Sequence, residues 1–229
     1  MTNNSTLSNL NPLRGLLPAD IAVVFSAKLP LEASLLGVET ELARKMAEKR
    51  YNEFIHGRHC ARLALAQLGI APHAIDKGPN REPLWPGSVS GTISHTLQYA
   101  AAAVAPRSAY RGIGLDMEAA IPLDEKLFKA ICREEELHEF SRLMLTEEAA
   151  GDRAKLLFSI KESIYKCLWP TVRQFIDFTE MQVELADDGF SYRAIPHTAK
   201  ASTELVGQLQ GRYRYEGELV LSSAWLSNP

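Results

Sequence analysis

Two stretches hold residues whose type and spacing suit phosphate chemistry. In the first, from Asp152 to about Leu168, Leu157, Ile160, Ile164 and Leu168 recur at helical spacing and predict an apolar stripe. Lys155, Ser159, Glu162 and Lys166 recur on the opposite side, so Glu162 and Lys166 stand one turn apart on a polar face. Lys161 falls near the edge of the apolar stripe, where an amine needs a partner or a path to water. Alone, a Glu and a Lys one turn apart read as a solvated ion pair. The second stretch changes the odds. In Gly112-Ile113-Gly114-Leu115-Asp116-Met117-Glu118 the residues alternate at strand spacing, which points Asp116 and Glu118 to one side. Two carboxylates so placed repel each other unless a cation lies between them or water surrounds the strand end. Glu162 as a third carboxylate completes a hard oxygen set of the kind magnesium takes.

The elements that must position these groups follow from local signals. Asp152 reads as the N-cap of the helix, and Pro170 restrains Trp169 from continuing it. Upstream, Leu42 to about Leu68 is helical in pattern, with a break expected near Gly57 and an end at Gly69. Arg58 and Arg62 are one turn apart there, a mild repulsion that an anion would relieve, or simply a solvated basic face. His56, His59 and Cys60 offer no further ligand for zinc and read as surface or core residues. Gly78 to Gly87 is a proline-fixed loop that holds Arg81 and can bury Trp85. Ser88 to Thr96 leans towards a strand and carries Ser94 and His95. Neighbours on a strand point to opposite sides and no hydrolase elbow surrounds them, which argues against a nucleophile and its base.

The remaining chain fills in the architecture. Residues 1 to about 18 read as a tail docked through Leu13, Leu16 and Leu17, and Ile21 to Phe25 as a buried strand. Tyr99 to Ala105 is a buried, alanine-rich strand. Leu123 to Ile131 and Glu134 to Leu143 are short helices, the second opening on Glu134-Glu135-Glu136, where negative charge is favourable. Glu180 to Leu185, Phe190 to Ile195, Glu204 to Tyr215 and Glu218 to Leu226 read as strands with turns at Asp187-Asp188-Gly189 and Glu216-Gly217. Within Thr171 to Phe178, Phe175, Ile176 and Phe178 suggest core burial or an apolar docking patch. The order of elements indicates an α+β fold.

Composition narrows the classes. The 229 residues carry a net charge of −3, which argues against a general nucleic-acid binder. No run is long and apolar enough to span a bilayer, and the polar N-terminus has no secretory pattern. Three well-separated cysteines read as reduced thiols of a cytoplasmic protein.

Five motifs in order resemble the 4'-phosphopantetheinyl transferases of the long, surfactin-type and enterobactin-type branch. They are Gly57-Arg58-His59-Cys60-Ala61-Arg62, Arg81-Glu82-Pro83-Leu84-Trp85-Pro86, Ile93-Ser94-His95-Thr96, Gly114-Leu115-Asp116-Met117-Glu118, and Lys161-Glu162-Ser163 with Lys166. The resemblance implies two similar lobes with the active site in the cleft between them, here residues 1–118 and 119–229. It implies transfer of the phosphopantetheine arm of coenzyme A to a serine of an apo acyl or peptidyl carrier protein, with release of adenosine 3',5'-bisphosphate. On that reading Arg58, Arg62, Arg81, Ser94, His95 and Lys161 contact coenzyme A, and Lys161 can instead support Glu162. Asp116, Glu118 and Glu162 hold magnesium, and Lys166 reaches the pyrophosphate. Relatives place a glutamate that acts as base near the position of the three consecutive glutamates, and Glu135 is its best positional match. Glu162 is the other candidate for activating the serine. Similar lobes within one chain imply a monomer.

Two rival readings remain. A different magnesium-dependent phosphate enzyme would use the same carboxylates, although the chain has no glycine-rich P-loop. A non-catalytic coenzyme A- or carrier-binding protein would keep Arg58, Arg81 and His95 but would not need three acidic ligands.

Overall fold

The computed structural model describes residues 11–229, and the first ten residues of the expected tail lie outside them. The chain divides into two compact units between Tyr110 and Arg111. The acidic strand therefore lies almost wholly in the second unit, whereas the sequence places the boundary after Glu118.

The first unit is a three-stranded antiparallel sheet backed by a long helix. Its elements are β1 (Ala22–Ser26), α1 (Val38–Ala43), α2 (Glu48–Gln67), β2 (Asp76–Lys77), β3 (Pro83–Leu84), β4 (Val89–Thr96) and β5 (Tyr99–Pro106), with sheet order β1-β5-β4. The alanines of β5 are fully buried because α2 packs directly on them, burying Cys60, Ala61, Ala64 and Leu65. Small residues let helix and sheet approach closely. Contrary to the sequence expectation, Gly57 does not break α2. A methyl group there would stand 2.8 Å from Ile93 of β4, so the glycine serves close packing. The helical segment is instead interrupted at residues 44–47. β1 is half-buried rather than buried. Leu13, Leu16 and Leu17 of the tail are buried, in line with docking of this segment.

The second unit pairs a helix with another three-stranded sheet and a hairpin. It comprises β6 (Tyr110–Ala119), α3 (Phe128–Ile131), α4 (Glu134–Arg142), α5 (Glu147–Val172), β7 (Met181–Leu185), β8 (Tyr192–Pro196), α6 (Thr203–Gly207), β9 (Gln210–Glu216) and β10 (Leu219–Ser227). The sheet order is β6-β10-β9, and β7 pairs with β8. The stripe Leu157, Ile160, Ile164 and Leu168 of α5 is buried in this unit's core. α5 is longer at both ends than the spacing indicates. Thr146 caps it through a bond from Ala149 N, and Asp152 is interior. Pro170 is tolerated because the helix ends just beyond it, where Arg173 turns left-handed and its N–H reaches Trp169 O. The segment from Glu204 begins as helix α6, capped by Ser202, before β9 starts. Ser159 is not on an exposed polar face: it is buried, with its Oγ 2.9 Å from Ser222 Oγ of β10.

Candidate active site

The site in the second unit begins with two glycines. A methyl group at Gly112 would overlap the backbone carbonyl of Cys167, and one at Gly114 that of Ser163. Only glycine lets the backbone of α5 lie directly on β6 at these points. That close crossing sets Glu162 and Lys166 of the helix over Asp116 of the strand.

Lys166 is the centre of the resulting cluster. Its Nζ donates to Asp116 Oδ1 at 2.6 Å and to Leu115 O at 3.2 Å. Burial lowers the affinity of this amine for its proton, but Asp116, Glu162 and Glu118 together outweigh that and raise its pKa above the ordinary lysine value. The carboxylates answer in kind. Burial raises the pKa of Glu162, which Lys166 opposes and Asp116 reinforces. Burial also raises that of Glu118, with repulsion from Asp116 adding to it, although Lys155 lies 3.5 Å away. Among the described residues the Glu162 carboxylate makes no hydrogen bond and no ion pair. All three carboxylates act electrostatically on Lys166, in a region that favours positive charge. The donor chemistry suits magnesium, while no three His, Cys, Asp or Glu side chains among the described residues form a ready metal group.

Lys161 and Glu135 do not join this cluster. Lys161 is buried and donates to Glu136 Oε2 at 2.7 Å and Ile131 O at 2.8 Å. Glu136 also accepts from the backbone N–H groups of Arg133 and Val183, tying α4, α5 and β7 together. Sequence reasoning missed Glu136, and no local pattern marks a partner so far along the chain. Glu135 is exposed and takes two bonds of 3.1 Å from Arg133, which hold its carboxyl below the usual range. Such a group is a weak base at neutral pH. Beside Glu162 a recess of about 140 Å³ is lined by Ile164, Tyr165, Phe175, Ile176, Phe178 and Met181 as well as Lys161. Ile176 is buried in the core, but Phe175 is 60% exposed and meets Tyr165 edge-on, with ring centroids 5.6 Å apart.

In the first unit the basic residues split into two kinds. Arg62 is buried, with Nη1 2.9 and 2.8 Å from the two oxygens of Glu39 and Nη2 bonded to Ser34 O. Arg58 is also buried and donates to Ile75 O at 3.1 Å. Burial pushes its guanidinium down to about 10 despite nearby Glu39. Arg81, by contrast, is exposed on the loop between β2 and β3, and among the described residues its guanidinium makes no hydrogen bond or ion pair. Ser94 is buried, whereas His95 is half-buried and lies 2.6 Å from Arg50 Nη1, with Glu53 3.7 Å from its other ring nitrogen. An arginine N–H must donate, so this contact makes His95 Nε2 an acceptor. No motif marks Arg50, although it lies about two turns before Arg58 on the same helix.

Comparison with known proteins decides the family. The description "4'-phosphopantetheinyl transferase N-terminal domain" matches residues 38–105, and "4'-phosphopantetheinyl transferase superfamily" matches residues 112–220. The chain belongs to the 4'-phosphopantetheinyl transferase superfamily. Its two matched segments flank the division between the compact units. The 4'-phosphopantetheinyl transferase Npt of Nocardia iowensis is 36% identical over 168 residues, covering 73% of this chain and 74% of that protein. PptT of Mycobacterium tuberculosis is 35% identical over 201 residues, covering 85% and 84%. Svp of Streptomyces mobaraensis is 30% identical over 185 residues, covering 79% and 74%. The chain is accordingly an enzyme of the transferase class. The superfamily segment contains every member of the carboxylate–lysine cluster.

Proposed function

We propose that this chain transfers the 4'-phosphopantetheine arm of coenzyme A to a serine of an apo acyl or peptidyl carrier protein. The observation that carries this reading is the cluster of Asp116, Glu118 and Glu162 around Lys166, inside the segment that matches the superfamily. In the reaction the serine oxygen attacks the phosphorus that bears the pantetheine arm, and the bond to the bridging pyrophosphate oxygen breaks. Adenosine 3',5'-bisphosphate leaves with that oxygen. Magnesium, held by Asp116, Glu118 and Glu162, would neutralise pyrophosphate charge.

The chain's own side chains supply the rest. Lys166 offers its ammonium to the pyrophosphate oxygens, and its raised pKa keeps it charged throughout the neutral range. As the alternative to a metal bond, the raised pKa of Glu162 and its carboxylate without a hydrogen bond among the described residues suit it to accept the serine proton. Glu135 is less suited, because Arg133 holds it ionised and engaged. The apolar recess beside Glu162 fits the aliphatic part of the arm. Arg81, Ser94 and His95, with Arg50, would meet the phosphates of coenzyme A. The three cysteines are free and buried, in keeping with a reducing cytoplasm. A single chain carrying both units is the proposed working form.

Intact-mass spectrometry of an apo carrier protein incubated with this chain, coenzyme A and magnesium tests the reading. A phosphopantetheine mass gain is expected, abolished by a chelator and by Asp116→Ala. No gain across fatty-acid, polyketide and peptide carriers, with coenzyme A still bound, would instead favour a non-catalytic binding protein.

A further inference from the structure

We propose that Glu39, with Arg58 and Arg62, is a buried brace that positions the Arg81 hairpin for coenzyme A. It rests on the reading above that Arg81 meets the cofactor's phosphates. Glu39 is 0% exposed, yet it is fully engaged. Its two oxygens accept from Arg62, and its Oε2 also accepts from Leu36 N at 2.9 Å, just before α1. Its Oε1 accepts in addition from the backbone N–H of Ile75 at 2.9 Å. Arg58 completes the grip on the same strand entrance by donating to Ile75 O at 3.1 Å and Asp76 O at 3.5 Å. Both backbone groups of Ile75 are thus held by buried charged side chains that α1 and α2 supply.

Ile75 leads directly into β2, and the β2–β3 hairpin carries Arg81 at its turn. The turn is itself tense. Arg81 has a φ of 70°, left-handed for a residue with a side chain. Its N–H bonds to Gly78 O at 3.0 Å, and the Glu82 carboxylate accepts from Asn80 N at 3.0 Å. β2 and β3 pair over only two residues each, too few to fix the hairpin alone. The brace supplies what the short ladder lacks. It also accounts for two arginines, one turn apart on a helix, that face inward instead of towards solvent. Burying three charges costs solvation, and here the charges hold a loop in place. Glu39, Arg58 and Arg62 are therefore positioning residues, and Arg81 is the group that touches the ligand.

Coenzyme A affinity by calorimetry, for the wild type, Glu39→Gln, Arg81→Ala and the double variant, tests the brace. Hydrogen exchange over residues 75–84 is read in parallel. Glu39→Gln is expected to weaken binding about tenfold and speed exchange in the hairpin. In the double variant the loss should barely exceed that of Arg81→Ala alone, because a misplaced hairpin no longer matters once Arg81 is gone. Should Glu39→Gln fail to fold, Arg58→Lys keeps the Glu39–Arg62 pair and removes the bond to Ile75 O, with the same expectations. Ordinary affinity in the folded variant, or losses that simply multiply in the double variant, would overturn the brace alone. A wild-type chain that does not bind coenzyme A at all would overturn the proposed function as well.

Discussion

Lys166 Nζ lies 2.6 Å from Asp116 Oδ1, and it stays protonated because Glu162 and Glu118 add their fields to that of Asp116. Lys166 thus faces three carboxylates at a helix–strand crossing, with Lys155 adding a second ammonium beside Glu118. Lys166→Met should leave that negative charge less compensated and remove a cation from the pyrophosphate. The expected result is a fall in kcat on the order of 10²-fold, measured by carrier loading at saturating coenzyme A. A kcat within about twofold of wild type would remove Lys166 from the chemistry.

The crossing itself depends on Gly114. Adding a methyl group there meets the Ser163 carbonyl, which belongs to helix backbone and cannot rotate away. Gly114→Ala should cost about 3 kcal/mol of stability and displace Glu162 and Lys166 from Asp116. Thermal unfolding and carrier loading should both fall. Gly189→Ala, in an open turn at φ 67°, is the control for a glycine that only relieves backbone strain. It should lower stability modestly without changing kcat.

What could be read from the sequence follows physical range. The α5 stripe of Leu157, Ile160, Ile164 and Leu168 and the alternation of Asp116 with Glu118 are periodic, and period shows in a single sequence. The remaining candidates come from the family motifs. The pairing of Lys161 with Glu136, and of Arg62 with Glu39, depends on which elements meet in three dimensions, and no spacing encodes it. Arg58 and Arg62 look like a basic face because helical spacing says which residues share a side, not whether that side is buried. The ends of α5 escape a sequence reading because Asp152 and Pro170 carry boundary signals that tertiary packing overrides. The helix α6 escapes it too, because it is shorter than two turns and lies inside a strand-like run.

Two neighbouring glutamates should behave oppositely. Glu136 is buried and anchors Lys161 and two backbone N–H groups, so Glu136→Ala leaves a buried ammonium unpaired. A loss of about 3–5 kcal/mol in chemical unfolding is expected. Glu135 is exposed and pairs with Arg133. Because exposed pairs contribute little, Glu135→Ala should leave unfolding almost unchanged. With Glu162 taking the serine proton, it should also reduce kcat by less than about threefold. A large kcat loss in Glu135→Ala would return the base to that position.

A divalent cation should stabilise the protein without any substrate. Binding to Asp116, Glu118 and Glu162 relieves the repulsion that burial sharpens among them. Magnesium at roughly ten times its Kd should raise Tm by about 4 °C. Glu162→Gln should shrink that rise while leaving the Tm without metal equal or higher, since its repulsion with Asp116 is removed. An unchanged magnesium response in Glu162→Gln would exclude it as a ligand.

His56 makes the first unit sensitive to acid. It is buried on α2, the helix that packs on β5, and its Nε2 has no hydrogen-bond partner among the described residues. Burial, helped by His59 and His95, pushes its pKa down to about 4. The unfolded chain, at an ordinary value near 6.5, therefore binds more protons than the folded one between those limits. The stability this represents is fully present above pH 6.5 and is lost as pH falls towards 4. Wild-type stability should decline over that window with a slope of up to about 1.4 kcal/mol per pH unit from this group. His59, also lowered by burial, adds in the same direction. His56→Phe should flatten the slope and leave the smaller His59 contribution. Equal slopes in wild type and variant, measured by unfolding at about pH 7, 6 and 5, would show that the buried imidazole is not what titrates.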